Sequence, residues 1–265
     1  MQNPTIILAA GLGARMQSDP QSCPKAMTRL GTEQRPFLEF LLKQLQREGC
    51  SDACVVIHPE DRVTAAYFEA HPIKGIELSY AIQLRSDGRE KPLGTAHAAG
   101  CGLTTRPDWS GQTVAVCNGD NLPPDGAFRT LFSSSSRGAL LAFDREGLCL
   151  PAERTRAFAV IHTDLGGALT NIVEKPNDAQ IEAARSPLGT VQVSMNLFSL
   201  EYSEFIKAVN DCPVHLQRDE KELPTAMLRW SQAHPNELAC IPFSGRFLDL
   251  TRPEDISNVE RRLGL

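Results

Sequence analysis

Short apolar segments alternate with segments of helical spacing through the first half of the chain, and this alternation is what most limits its fold. Strands are predicted at 5–9, 53–57, 76–82 and 113–117, with helices at 37–45, 61–70 and 95–103 between them. Such alternation is typical of parallel strands joined by right-handed crossovers. The sequence therefore predicts an α/β fold.

The second half of the chain is less regular. Strands are predicted at 139–143, 157–162, 169–173 and 191–200 without long helices between them, which indicates a mixed or antiparallel extension of the sheet. Helices at 201–209 and 222–232, a last strand at 246–250 and a closing helix from about Pro253 complete the pattern. Because no change of composition marks a linker, we expect one Rossmann-like α/β domain over residues 1–265, with a mixed, mostly parallel central sheet.

The composition excludes several classes of protein. Of the 265 residues, 42% are hydrophobic, which is enough to bury a core without disulfides. The 27 Lys and Arg against 32 Asp and Glu give a net charge of −5, so a basic footprint for nucleic acid is absent overall. No apolar run reaches roughly eighteen residues and no cationic leader is evident, so we expect no membrane span and a cytoplasmic location. The eight scattered cysteines contain no Cys-x-x-Cys pair, which favours reduced core residues over zinc ligands.

A glycine-rich turn follows the first predicted strand, with the sequence Leu-Ala-Ala-Gly-Leu-Gly-Ala-Arg-Met over residues 8–16. Small residues let the backbone approach a ligand, and successive N–H groups can surround phosphate oxygens. The turn lacks the third glycine of a dinucleotide fingerprint and the Gly-Lys-Ser/Thr of a Walker loop. Alone, it is equally compatible with an ordinary strand-to-helix turn. Its candidate nucleotide-binding residues are Leu8, Ala10, Gly11 and Gly13.

Two cations accompany this turn. Arg15 lies within it, and Lys25 follows ten residues later, still before the first predicted helix. Two cations beside exposed backbone N–H groups suit a triphosphate, because Arg offers a fork of donors and Lys a point charge. The alternative is that both are solvated surface cations.

Three residues are candidates for contacting a base. Gln83 ends the third predicted strand, and its amide both donates and accepts, as recognition of a pyrimidine edge requires. Gly94 and Thr95 open a helix of small residues, whose first N–H groups can meet the carbonyl oxygens of a base. Gln83 could instead be a solvated strand end, and we expect His97 to be a packing or supporting residue.

Two acidic residues each end an apolar segment. Asp120 does so after the fourth predicted strand and Asp249 after Phe247-Leu248, and open α/β sheets bind ligands at the carboxyl ends of their strands. A turn aspartate is the alternative for Asp120, and a helix cap for Asp249. Asp255 is better placed as an acid in the first turn of the closing helix than as a ligand.

Taken together, these segments resemble the signature of the sugar-1-phosphate nucleotidyltransferases, the nucleotide-sugar pyrophosphorylases. The matches follow the family's order from residue 5 to about residue 260: the glycine-rich turn with Pro24-Lys25, Leu93-Gly94-Thr95-Ala96-His97-Ala98, Asn118-Gly119-Asp120, Val173-Glu174-Lys175-Pro176 and Phe247-Leu248-Asp249-Leu250.

The resemblance implies nucleotidyl transfer, in which an NTP and a sugar 1-phosphate give a nucleotide-sugar and pyrophosphate. It implies that Arg15 and Lys25 are catalytic and that Mg²⁺ is held by Asp120 and Asp249. Both substrates are small molecules, and the resemblance implies a nucleotide-binding half over about residues 1–130 and an acceptor-binding half over about residues 131–265.

The resemblance also assigns the specificity residues. Gln83, Gly94 and Thr95 would line the base pocket, in a combination most similar to uridylyltransferases, which predicts UTP or dTTP. Glu174 would accept hydrogen bonds from sugar hydroxyls, and Lys175 would bind the acceptor's phosphate.

Two departures from the family pattern lie in the acceptor half. Phe158-Ala159 stands where the family usually has Tyr-Gly, and Ser194-Met195-Asn196 stands at its Asn-Thr-Gly strand entry, so either Ser194 or Asn196 could face the acceptor. The sugar and the oligomeric state stay open. A cytidylyltransferase acting on phosphocholine or a phosphonate is the nearest alternative, and a non-catalytic regulatory subunit that binds sugar nucleotides is an alternative of another class.

Overall fold

The computed structural model describes residues 2–11, 24–85, 88–89, 91–186 and 189–265. Within these ranges, every helix is too short or too polar to cross a lipid bilayer.

The described residues form thirteen strands and nine α-helices. The strands are β1 (Thr5–Leu8), β2 (Arg29–Leu30), β3 (Arg35–Pro36), β4 (Asp52–Ile57), β5 (Glu77–Ile82), β6 (Thr113–Asn118), β7 (Asn121–Leu122), β8 (Gly138–Asp144), β9 (Val160–Thr163), β10 (Leu169–Val173), β11 (Gln192–Glu201), β12 (Leu238–Phe243) and β13 (Leu248–Asp249). The helices are α1 (Phe37–Arg47), α2 (Thr64–Ala70), α3 (Thr95–Thr105), α4 (Ala127–Phe132), α5 (Ala152–Thr155), α6 (Asp178–Ala183), α7 (Tyr202–Asn210), α8 (Leu223–Ala233) and α9 (Asp255–Leu263).

Nine of these strands form one central sheet. Seven strands follow the order β10-β9-β11-β6-β1-β4-β5, and β8 joins the sheet beside β11 with β12 beside it. All except β10 and β11 run in the same direction. The prediction of an α/β fold with a mixed, mostly parallel sheet is therefore confirmed.

Alternate residues of the central strands pack on opposite faces of this sheet. Ile7 of β1 packs in a cluster with α1 and α4, whereas the adjacent Ile6 packs in a second cluster with α3, α7 and α8. Successive side chains of a strand point to opposite faces, so a continuous apolar run buries both of them. Helices consequently cover the sheet on both sides.

The structure corrects the predicted pattern near the carboxyl end. Strand β12 was not predicted, because Pro242 interrupts its apolar run, yet a proline is tolerated there, since among the described residues β8 is the one named strand that pairs with β12 and the other side of β12 makes only an isolated bridge, at Ala239. The strand predicted at 246–250 is only Leu248–Asp249, and it pairs with β7 outside the central sheet.

In the first half of the chain, α2 begins at Thr64 and not at residue 61, because the Asp61 carboxylate accepts hydrogen bonds from the N–H groups of Val63 and Thr64.

The order of the strands places a crevice between β1 and β6. From β1 the chain adds β4 and β5 on one side, and then returns to add β6 on the other. Such a switch point in an open sheet is where ligands bind. Gly119, directly after β6, allows close approach there, since a Cβ at this position would lie 3.1 Å from Cβ of Ala9.

Candidate active site

A cleft of about 590 Å³ opens at this switch point. It contains every residue predicted to bind nucleotide that the structure describes: Leu8, Ala10, Gly11, Gln83, Gly94 and Thr95. Gly13 and Arg15 lie outside the described residues, and their roles stay predictions.

Lys25, one of the cations that the sequence predicts to bind phosphate, lies in this cleft near the end of β6. Its Nζ forms an ion pair with Oδ2 of Asp120, and both side chains are partly exposed to the cleft. The structure thus joins one of the predicted phosphate-binding cations to one of the predicted metal ligands. A charge-assisted contact of this kind holds both groups in place while no substrate is bound.

The end of the cleft where the sequence predicts a base is organised around Gln83. This side chain is buried, and its Nε2 donates to the carbonyl oxygen of Gly94 at 2.9 Å and lies 3.3 Å from Nδ1 of His97. His97 thus contacts Gln83, the residue that the sequence predicts to bind the base.

The start of α3 is covered by a segment ahead of α8. The N–H of Ala96 donates to Lys221 O at 3.0 Å, and the hydroxyl of Thr95 accepts a hydrogen bond from Leu223 N–H at 2.9 Å. Gly94 is required at this contact, because its φ is +104° and a Cβ would lie 2.5 Å from Lys221 O. The Thr95 hydroxyl and the Ala96 N–H are therefore engaged within the protein.

A second cavity of about 230 Å³ adjoins the first. Among the predicted acceptor residues, Glu174, Ser194 and Asn196 line it, and Phe158-Ala159 lies there as well. Both Ser194 and Asn196 face this cavity, beside an irregularity in the pairing of β11 with β8. Lys175 is exposed and is not among the described residues that line either cavity, so its role in phosphate binding stays a prediction.

The two cavities share one wall. Four residues line both of them: Asn118, Asp120, Asn196 and Thr251. Two molecules, one in each cavity, would therefore meet at Asp120, next to Lys25.

A chain of side-chain hydrogen bonds runs along this wall. Asn196 Nδ2 donates to Oδ1 of Asn118 at 3.3 Å, Asn118 Nδ2 donates to Oδ1 of Asn121 at 2.9 Å, and Asn121 Nδ2 donates to Oδ1 of Asp249 at 2.9 Å. These four residues come from β11, β6, β7 and β13, so the chain links four separate elements.

Asp249 is more enclosed than Asp120. Its second oxygen accepts a hydrogen bond from the Thr251 hydroxyl at 2.7 Å and lies 3.5 Å from the Arg154 guanidinium. Burial, and then the Asp120 carboxylate, raise the pKa of Asp249 above its usual range, while Thr251, Lys25 and Arg154 act in the opposite direction. Asp120 is thus close enough to Asp249 for their charges to interact.

Arg154 also anchors the closing helix. It donates to Asp255 at 2.6 Å, and the other oxygen of Asp255 accepts hydrogen bonds from the N–H groups of Thr251 and Arg252. Asp255 is in the first turn of α9, as predicted, and Asp249 does not cap that helix.

Several of these residues escaped the sequence reasoning. Asn118 was named only as part of the Asn118-Gly119-Asp120 match and was given no role of its own, and Asn121, directly after that match, was not singled out. Arg154 follows a region with no predicted element, so its position beside Asp249 had no signal in the sequence.

The donor set fits a magnesium ion shared with a substrate. Mg²⁺ is usually held by one or two carboxylates together with substrate phosphates. Asp120 and Asp249 line the same cavity, and the Asp120 carboxylate is near enough to help raise the pKa of Asp249, so the two acids are placed to share one cation. In the described part of the chain, no group of three or more His, Cys, Asp and Glu side chains could hold a metal by itself, so phosphate oxygens would have to complete the site.

Comparison with known proteins identifies the family. The family model described as nucleotidyl transferase matches residues 4–261. The chain belongs to the nucleotidyl transferase family. This confirms the family predicted from the sequence.

The relatives of the chain agree with this family. The low-salt glycan biosynthesis nucleotidyltransferase of Haloferax volcanii is 25% identical over 197 residues, which cover 73% of this chain and 48% of the relative. The D-glycero-alpha-D-manno-heptose 1-phosphate guanylyltransferase of Campylobacter jejuni is 32% identical over 93 residues, 35% of this chain and 38% of the relative. The chain thus spans less than half the length of either curated relative.

The fold of this nucleotidyl transferase is shared with a solved structure. A UTP-bound UGPase of Acinetobacter baumannii superimposes with a TM-score of 0.75 at 17% identity, covering 100% of this chain and 94% of that one. At this identity, the likeness concerns the fold alone.

Proposed function

We propose that the protein catalyses nucleotidyl transfer from an NTP to a sugar 1-phosphate, releasing pyrophosphate and forming a nucleotide-sugar. The observation that carries the proposal is the wall shared by the two cavities, with Lys25 and Asp120 at the point where a nucleotide and a phosphorylated acceptor would meet. Membership of the nucleotidyl transferase family supports the reaction class.

The proposed reaction requires little covalent chemistry from the protein. An oxygen of the acceptor phosphate attacks the α-phosphorus of the NTP, and the bond from that phosphorus to the bridging oxygen of pyrophosphate breaks. The attacking oxygen is already ionised, so no general base is needed, and catalysis reduces to positioning and neutralisation of charge. Lys25 would neutralise charge between the substrates, and Arg15 would hold the β- and γ-phosphates.

Asp120 and Asp249 would hold Mg²⁺ between the two substrates. When bound, the ion supplies a template and a Lewis acid for the phosphate oxygens. The protein's own part is to hold Asp249 in place through Asn121, Thr251 and Arg154, so that its carboxylate is oriented before substrate arrives.

In the acceptor cavity, Glu174 and Asn196 would contact sugar hydroxyls, and Lys175 would reach the phosphate from outside the cavity lining. Phe158 is the only aromatic side chain among the described residues that line this cavity, which supports a sugar over phosphocholine, since a quaternary amine is usually bound by several aromatic faces.

The base is proposed to be uracil or thymine. The amide nitrogen of Gln83 is bonded to Gly94 O, which leaves the amide oxygen to accept a hydrogen bond from a base, and uracil and thymine carry a ring N–H that can donate it. The name of the Campylobacter relative specifies guanylyl transfer, so GTP is the comparison that matters most.

A pyrophosphate-release screen tests the proposal. UTP, dTTP, CTP, GTP and ATP are each combined with a panel of sugar 1-phosphates, phosphocholine and phosphonates in the presence of Mg²⁺. We expect release only with a sugar 1-phosphate and best with UTP or dTTP, with an equal amount of nucleotide-sugar formed. Release with phosphocholine alone would establish the cytidylyltransferase alternative, and nucleotide binding without turnover for any pair would establish the regulatory alternative.

A further inference from the structure

The side chain of His97 contacts the side-chain amide of Gln83. Gln83 is 3% exposed, and its Nε2 lies within hydrogen-bond distance of two different groups, Gly94 O at 2.9 Å and His97 Nδ1 at 3.3 Å. His97 itself lines a separate surface pocket together with Cys101 and Lys221, and does not line the nucleotide cleft.

The chemistry of these groups decides which atom of Gln83 faces which partner. A backbone carbonyl can only accept, so the amide nitrogen and not the amide oxygen must face Gly94 O. The second hydrogen of the same nitrogen then points to His97 Nδ1, which must accept it. His97 is therefore neutral, with its proton on Nε2, and that nitrogen lies 3.9 Å from Sγ of Cys101.

The surroundings of the imidazole keep it in this form. Burial, together with the positive charges of Lys221 and Arg89, lowers the pKa of His97 below its usual range. A protonated ring would place an N–H donor against the amide donor of Gln83.

We propose that His97 is a positioning residue for base selection: it holds the Gln83 amide so that the carbonyl oxygen is the atom presented to the base. This inference rests on the proposed function, with Gln83 as the base-contacting residue. A flipped amide would place its oxygen against Gly94 O, which only accepts, and would also require the proton of His97 to move from Nε2 to Nδ1, so the two contacts together disfavour it.

The fixed orientation determines the class of base. A carbonyl oxygen accepts from a ring N–H, which uracil and thymine carry at N3 and guanine at N1. Cytosine and adenine present an unprotonated ring nitrogen at the equivalent position, which the oxygen repels. His97 would therefore favour UTP, dTTP or GTP over CTP and ATP, and the size of the pocket would choose between the purine and the pyrimidines.

Three variants test this role. His97→Leu removes the acceptor, His97→Asn keeps an acceptor oxygen near the position of Nδ1, and Cys101→Ala removes the group on the opposite side of the imidazole without touching Gln83. The preferred nucleotide among UTP, dTTP and GTP is compared with CTP by kcat/KM, and its binding without acceptor is measured by calorimetry.

We expect His97→Leu to lower the ratio of preferred nucleotide to CTP at least tenfold, mainly through a higher KM for the preferred nucleotide, with kcat within threefold of wild type. His97→Asn should recover most of the ratio, and Cys101→Ala should stay within twofold. An unchanged ratio in His97→Leu, or no recovery in His97→Asn, would overturn the proposal.

The tautomer is tested independently of turnover. Long-range ¹H–¹⁵N NMR of the wild-type protein at pH 7 should show the proton of His97 on Nε2. A proton on Nδ1, or an imidazolium, would overturn the proposal even if His97→Leu failed to fold. Wild-type protein that turns over no NTP with any acceptor would instead contradict the proposed function, and calorimetry with UTP and CTP would still decide whether His97 sets the preference.

Discussion

Asn121 donates a hydrogen bond from Nδ2 to Oδ1 of Asp249 over 2.9 Å, although 128 positions separate the two residues in the sequence. The contact joins β7 to β13, and both residues line the second cavity. Asn121 is also held by Asn118, so one amide connects the two proposed metal-binding segments.

Replacing this amide should affect both stability and turnover. Asn121 is buried, and Asn121→Ala leaves Asn118 Nδ2 and Asp249 Oδ1 without this partner, which should lower the free energy of unfolding by about 1–3 kcal/mol. Turnover should fall further than nucleotide affinity, because Asp249 loses its orientation. Urea denaturation and initial rates measure the two effects, with the exposed Asn258→Ala as control. Equal losses in both variants would contradict the role of Asn121.

Neutralising either acid of the site should abolish most turnover without unfolding the protein. We expect Asp120→Asn to bind nucleotide yet lower kcat on the order of 10²-fold or more, the scale seen when one electrostatic stabiliser is removed. Asp249→Asn should act in the same direction and raise the Mg²⁺ concentration needed for half-maximal rate.

The matched control for these variants is Asp125→Asn, whose side chain is 92% exposed. Its kinetics should equal those of wild type. Full activity of Asp120→Asn and Asp249→Asn, measured by pyrophosphate release over a Mg²⁺ titration, would rule out the metal site.

Ionisation of Glu174, which lines the second cavity, should lower the stability of the folded protein in a pH-dependent way. Burial, and then the Glu222 carboxylate, raise the pKa of Glu174 to about 7 from an ordinary value of 4.5. Ionised Glu174 is therefore disfavoured in the folded protein, and its contribution to the free energy of unfolding becomes less favourable as the pH rises from 4.5 through 7. Glu174→Gln removes this cost.

We accordingly expect Glu174→Gln to be more stable than wild type at pH 8, by up to about 3 kcal/mol, and equally stable below pH 4.5. Guanidinium denaturation at a series of pH values measures the difference, and Glu254→Gln, an exposed carboxylate, is the control. A difference that does not change with pH would contradict the raised pKa.

A buried ion pair at the end of the central strands away from the cleft should affect stability and not turnover. Arg106 donates to Asp52 at 2.6 Å, Trp109 Nε1 donates to the same carboxylate at 2.8 Å, and the guanidinium lies over the Trp109 ring. Arg106→Met leaves Asp52 buried and charged, which should cost about 3–5 kcal/mol of unfolding free energy. Asp108→Asn, at the more exposed partner of Arg106, should cost much less. Thermal unfolding compares the two variants, and similar losses of stability would show that Asp52 tolerates an unpaired charge.

The sequence predicted those parts of the fold that depend on local pattern. The strands around Ile7, Val55 and Val116 are continuous apolar runs bounded by turns. Because Asp120 directly follows such a strand, the sequence also predicted its position at the crevice, where it lies in the structure. The covering of the α3 start by the segment at Lys221, in contrast, depends on a backbone contact that leaves no trace in either local sequence.

Pairing between distant short segments was beyond the same reasoning. Strands β7 and β13 have two residues each, too few for a periodic pattern, and their pairing is what brings Asn121 to Asp249. Pro242 hid β12 for a related reason, because a strand at the side of a sheet follows weaker sequence rules than a central one.

The pairing of β7 with β13 has a consequence for biosynthesis. The two strands that flank the crevice, β1 and β6, are complete once residue 118 has left the ribosome. The wall that faces the acceptor is finished only when residues 248–255 have been added and Arg154 has engaged both Asp249 and Asp255. A nascent or truncated chain that ends before residue 248 would thus keep Lys25 and Asp120 but lack Asp249 and Thr251, and so would have only part of the wall that the two cavities share.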